Sequence, residues 1–257
     1  MAVGFETFNT RDKQKPPMVL IHAKPGVGKT TLASEFPAPI LIDLEGGSGD
    51  LQMTSASDGP MTSVQQVEQA VEALWSADHE FQTVIVDTLD YLEPLVWARV
   101  CEINSWKSIE EPGYGKGYIA CDAVWEKLMK GFQALRDKGM TIVFLAHTEP
   151  KSFSNPAGDD YSHYRIRLHK RAMALFEDKV DVIGFLDMIV STQGSGSFGA
   201  AKASGSGQRV LNTAPRPQWI AKSRFKMPEA IMINVGQGYD ALAPYLPVHR
   251  DNVERAA

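Results

Sequence analysis

With 257 residues, 44% of them hydrophobic, the chain can bury one full core, and a single α/β domain with insertions is expected rather than two. A net charge of −5 does not advertise nucleic-acid binding, although a local basic surface can act against an acidic average. Cys101 and Cys121 fit no CxxC or zinc spacing and read as reduced thiols in helices. Glu6, Arg11 and Asp12 interrupt the N-terminal stretch and no apolar run reaches bilayer length, so a cytoplasmic protein with no membrane partner is expected.

Met18, Val19, Leu20 and Ile21 read as a buried strand. Ala23 to Thr31 follow at once as Ala-Lys-Pro-Gly-Val-Gly-Lys-Thr-Thr, in the order strand, glycine-bearing loop, helix start. This is the phosphate-loop pattern G-x-x-x-x-G-K-[ST], with Ala23 as the smallest replacement for the opening glycine. Pro25, Gly26, Val27, Gly28, Lys29, Thr30 and Thr31 would cradle a polyphosphate, the two glycines letting backbone N–H groups turn inward and the helix start adding positive dipole. Lys29 would reach the β- and γ-phosphates, and the Thr30 hydroxyl would ligate Mg²⁺.

Pro37 and Pro39 end that helix, and Ile40, Leu41 and Ile42 read as a second strand finishing at Asp43-Leu44-Glu45-Gly46-Gly47. Ser63 caps a helix, with Gln66 at the capping-box position and Val64, Val67, Val71 and Leu74 on one stripe. Thr83 to Val86 is a third strand, ending at Asp87. Helices are expected over Asp90 to Asn104 and Ala120 to Lys138, the latter stopped by Gly139. Thr141 to Ala146 is a fourth strand and Val180 to Val190 a fifth. The alternation predicts an α/β fold with a mostly parallel sheet flanked by helices. Gly194 to Gln208, rich in Gly, Ser and Ala, reads as a flexible loop between segments able to pair, Ile189 to Thr192 and Arg209 to Thr213. Trp219 to Arg224 and Ile231 to Val235 complete an antiparallel C-terminal extension. One domain is expected over 1–257, with an N-terminal segment 1–17, a core 18–190 and C-terminal strands 191–257.

Strand ends carry the remaining chemistry. Asp87 suits a carboxylate that holds Mg²⁺ with Thr30. Thr88 stands where many ring-forming AAA+ ATPases carry a water-activating Glu, so the base must come from elsewhere. Glu45 ends the neighbouring strand and faces the same crevice, where it could activate water. His147, after the fourth strand, can hydrogen-bond a γ-phosphate. On an extended strand Lys222 and Arg224 share one face. Two segments combine cations with aromatic rings able to stack on bases: Trp106 to Tyr118, with Lys107, Tyr114, Lys116 and Tyr118, and Lys151 to Arg171, with Lys151, Phe153, Arg165 and Arg167.

In this order, Ala23 to Thr31, Asp43-Leu44-Glu45, Val84-Ile85-Val86-Asp87, Leu145-Ala146-His147 and Ala221-Lys222-Ser223-Arg224 resemble the RecA-like ATPases. More narrowly they resemble the phage-encoded, core-only RecA-like proteins grouped with single-strand annealing recombinases, from about Val19 to Ile233. The resemblance implies an ATPase using ATP and Mg²⁺, with Glu45 as base, His147 as γ-phosphate sensor in place of the Gln of RecA, and Lys222 and Arg224 reaching ATP in the adjacent subunit. It further implies single-stranded DNA as partner and self-association into a filament or ring. A single-strand-binding protein is a further candidate partner, and the host cytoplasm is the location if the chain is phage-encoded. A DnaB-like helicase motor and an ATP-gated loader with little turnover remain alternatives. GTPase and small-molecule kinase readings are weaker, because neither an Asn-Lys-x-Asp motif nor a lid-like Arg cluster occurs.

Overall fold

The computed structural model describes residues 15–47, 49, 51–153, 161–193 and 202–247. Strand β1 (Met18–Ala23) is buried along its whole length, so its alternating side chains feed two cores. Met18 and Leu20 enter one core; Val19, Ile21 and Ala23 enter the other.

On one side of β1 lie, in order, β5 (Thr141–Phe153), β4 (Thr83–Asp87), β2 (Pro39–Asp43) and the short β3 (Thr54–Ser55), all parallel. On the other side β7 (Val182–Gln193) is parallel to β1, and β8 (Lys202–Asn212) and β10 (Ala230–Ile233) then run antiparallel. Off this path β6 (Tyr161–Ile166) pairs with β5 and β9 (Lys222–Ser223) with β7, both antiparallel. One face is covered by α2 (Val64–Ser76), α3 (Leu89–Asn104), α4 (Lys116–Asp137) and α5 (Lys170–Lys179), whose apolar stripes meet Phe132, Phe144 and Phe176. The opposite face is covered by α1 (Lys29–Ser34) and α6 (Gly238–Leu242), packed on Val143, Leu145, Leu211 and Ile233. The expected layered α/β architecture, with antiparallel strands at the C-terminal end, is what the chain adopts.

Local signals place several boundaries. Ser63 Oγ accepts from Gln66 N–H at 3.3 Å, as the capping pattern requires, but the Gln66 side chain accepts from Thr62 N–H at 2.7 Å rather than from Ser63. The helix expected from Ala120 begins earlier, at Lys116, because Gly117 fits against the Ile109 carbonyl, where a Cβ would lie 1.9 Å away.

Two differences from the sequence expectation concern strands. The fourth strand continues past Ala146 to Phe153 and folds back as a hairpin with β6, from the Thr148–Ile166 pair to the Phe153–Tyr161 pair, so Lys151 to Arg171 is not a plain loop. Residues 202–208, expected within a loop, form the first part of β8. Gly205, Ser204, Ala203 and Lys202 face Val190, Ser191, Thr192 and Gln193. Ladder hydrogen bonds need only the backbone, so small side chains permit pairing that composition disfavours. Residues 194–201 of that expected loop, and 1–14 of the N-terminal segment, lie outside the described residues. Among the described residues no helix is long and apolar enough to cross a membrane.

Candidate nucleotide site

The C-terminal ends of β1, β2, β4 and β5 converge on one crevice, the edge at which open α/β sheets collect ligands. From β1 the chain turns through Gly26 (φ 78°) and Gly28 (φ 97°), left-handed conformations that glycine alone adopts without strain. Lys29 starts α1 and is buried; desolvation lowers its pKa against the pull of the Asp87, Glu45 and Asp90 carboxylates. The cation is therefore held beside three acids.

Thr30 Oγ1 donates to Asp87 Oδ2 at 2.6 Å. Asp87 Oδ1 and Thr88 Oγ1 are buried without a hydrogen-bond partner among the described residues. Burial pushes the Asp87 carboxyl up to about 6, the Thr30 hydroxyl acting in the other direction. A carboxylate oxygen left without a partner beside a hydroxyl, next to a phosphate-binding loop, fits the sparse oxygen set that Mg²⁺ takes when phosphate and water supply its other ligands.

Across the crevice Asp43 Oδ1 accepts from the N–H groups of Glu45 at 3.1 Å and Gly46 at 2.8 Å, a turn that fixes the start of the Glu45 loop. Glu45 Oε1 then stands 3.7 Å from His147 Nε2. His147 lies within β5, directly after its apolar run, and is buried; its backbone N–H donates to Asp90 Oδ1 at 2.9 Å, and its Nδ1 lies 3.0 Å from Asp90 Oδ2. With the ionised Asp90 as acceptor, Nδ1 of His147 is assigned a proton, and Nε2 is turned toward Glu45.

Asp90 has a second partner. Arg167, just past β6, donates Nε–H to Asp90 Oδ2 at 3.0 Å, with Nη2 bonded to the same oxygen. Burial alone would raise the Asp90 carboxyl, but hydrogen bonds from His147 and Arg167 outweigh it and hold the group well below the usual carboxylate range. Four carboxylates, two cations and one imidazole thus surround a crevice whose floor is a phosphate loop.

A family model described as AAA domain (AAA_24) matches residues 15–225. The chain belongs to that family. No curated protein matches it. The AAA domain is a P-loop ATPase domain, and domains of this kind generally bind ATP with Mg²⁺. In this AAA domain the loop runs through Pro25 to Gly28 into α1, Lys29 is the buried cation at its end, and the Thr30 hydroxyl is bonded to Asp87.

The structure brings Lys29, Thr30, Glu45, Asp87 and His147 together and puts Lys222 and Arg224 elsewhere. Lys222 on β9 pairs with Ile183 at the opposite end of β7; its Nζ donates to the carbonyls of Val180 at 3.0 Å and Glu177. Arg224 lies beyond β9, donates to Asp181 Oδ1 at 3.1 Å, and also binds the Asp178 and Lys179 carbonyls. Both cations reach the C-terminal end of α5 together, where they are bonded within their own chain.

The segments singled out for nucleic acid also divide. Tyr114 is fully exposed, and Lys107 and Lys116 are exposed. Tyr118 instead stacks on His169 with ring centroids 4.2 Å apart and donates its hydroxyl to Glu110. Lys151 and Arg165 are exposed on the hairpin, Phe153 closes β5 opposite Tyr161, and Arg167 is the Asp90 partner.

Sequence reasoning missed Asp90, read only as a helix start, and Arg209, a buried strand residue bonded to Gly28. It also missed Lys24, whose Nζ donates to Tyr164 Oη at 3.0 Å. Tyr164 begins a stack with Phe185 and Trp219. Alternation offered one usable signal: Arg209 shares the inward face of Leu211.

Proposed function

We propose that this AAA domain hydrolyses ATP to control its hold on single-stranded DNA, within an assembly of like subunits engaged in recombination or annealing. Support comes chiefly from Asp90, which joins the hydrolytic edge to the hairpin β5–β6 through His147 on one side and Arg167 on the other. Lys24 and Tyr164 form a second link between phosphate loop and hairpin. Arg165 and Lys151 lie exposed on that same hairpin, where a phosphodiester backbone could reach them.

Lys29 binds the terminal phosphates, and Glu45 takes the attacking water's proton, steered by His147 Nε2. Thr30 and Asp87 would hold Mg²⁺, which would neutralise phosphate charge. Lys222 and Arg224, at the far end of the sheet from their own phosphate loop, serve the nucleotide of a neighbouring subunit. The test is ATP hydrolysis with and without single-stranded DNA, for the wild type and Glu45→Gln. The wild type is expected to be stimulated by DNA, and the variant to bind Mg-ATP while losing at least 100-fold in turnover. Normal turnover by the variant removes Glu45 as base; absence of DNA binding at low salt removes the DNA reading.

A further inference from the structure

Arg209 is 4% exposed, on β8, and its guanidinium lies against the phosphate loop. Nη1 donates to the Gly28 carbonyl at 3.2 Å. Nη2 is buried without any hydrogen-bond partner, and no carboxylate pairs with the side chain among the described residues. Gly28 is what allows the approach: a Cβ there would lie 2.5 Å from Nη1. A guanidinium stays protonated at any physiological pH, and burying it without a counter-anion is unfavourable. Local packing alone would be better served by a methionine of similar length, since the hydrophobic neighbours Leu211 and Ile233 surround the strand position. The arginine makes sense when something anionic occupies the loop it abuts.

We propose that Arg209 is a further phosphate-binding residue, the buried cation whose counter-charge is the polyphosphate cradled by residues 23–31. This rests on the nucleotide reading of that loop and deepens it. Arg209 holds the Gly28 peptide through Nη1 and adds, from the β8 side, a positive charge to that of Lys29. It acts on binding and takes no part in proton transfer.

The signature is a pair of opposite effects. Removing an uncompensated buried charge leaves the ligand-free protein as stable as before or more so, while polyphosphate binding weakens; a residue that merely props the fold would lose stability. Wild type, Arg209→Met and Arg209→Gln are compared by thermal melting without ligand and by calorimetric titration with Mg-ATP and with inorganic tripolyphosphate. The expected result is a melting temperature at or above that of wild type for Arg209→Met, with at least tenfold weaker binding of both ligands. Arg209→Gln, which keeps a donor for the Gly28 carbonyl, supplies the same comparison if the methionine variant does not fold. Unchanged affinity overturns the assignment, as does a lower melting temperature accompanied by weaker binding, which marks a loop prop. If the wild type itself binds neither ligand, the nucleotide reading fails; if it binds and the variants match it, Arg209 alone is misassigned.

Discussion

Asp90 shows how much one side chain can organise. Its carboxylate is 2% exposed and receives the His147 backbone, the His147 ring and Arg167. Asp90→Ala leaves those donors facing a void and should cost about 2–4 kcal/mol, toward the lower end because Arg167 is half exposed. Chemical denaturation measures this, and turnover should fall further than stability explains because His147 is released from Glu45. One helical turn on, Glu93 behaves oppositely. It accepts the His169 N–H through both oxygens at 2.9 and 3.0 Å, yet burial pushes its carboxyl up to about 7. A raised acid binds more protons folded than unfolded, so its contribution lowers stability as pH climbs from about 4.5 to 7. Glu93→Gln should flatten that part of the stability profile and gain roughly 1–2 kcal/mol at pH 8. Denaturation midpoints at pH 5 and pH 8 decide it.

At the level of elements, the hairpin β5–β6 stands apart from the nucleotide crevice that Asp90 joins it to. It projects from the same sheet edge as the phosphate loop; its antiparallel ladder runs from Thr148 to Phe153, and Tyr164 ties it to the body of the sheet, its N–H donating to the Gln218 carbonyl at 2.6 Å. Replacing residues 151–163 by a two-residue turn should preserve nucleotide binding, because Arg167 and His147 lie below the cut, while abolishing stimulation of hydrolysis by single-stranded DNA. Parallel titrations of nucleotide and of labelled oligonucleotide check both halves. Elements of this kind also mark where sequence was readable. Asp87, Glu45 and His147 were found because each comes just after an apolar run that reads as a strand, and such runs lead to the ligand edge whatever the tertiary detail. Asp90 and Arg209 were not, because their roles depend on partners 57 and 181 residues away, which no local period records. The β8 pairing of 202–208 escaped for a related reason: backbone ladders leave little trace in Gly and Ser side chains.

For the whole molecule, the separation of Lys29 from Lys222 and Arg224 makes cooperation between subunits testable. Lys29→Ala lacks its own phosphate grip, and Arg224→Ala lacks what it would offer a neighbour. If sites are shared, mixing the two inactive variants should restore a measurable fraction of wild-type ATP turnover. A mixture as inactive as its parts rules sharing out. Arg224→Ala also removes one of the hydrogen bonds on Asp181, whose other oxygen keeps Arg136 at 2.7 Å and the Met18 N–H at 3.0 Å. The expected stability loss is about 1 kcal/mol, modest because Arg224 is half exposed, so the variant stays folded for the mixing assay.

Helix α5 is pinned at both ends: His169 at its start is bonded to Glu93, and its last carbonyls are gripped by Lys222 and Arg224. A rod about 15 Å long clamped in this way passes a push along its axis instead of bending. Any tug on Arg167, three residues before the rod begins, would be delivered to the remote rim of the sheet.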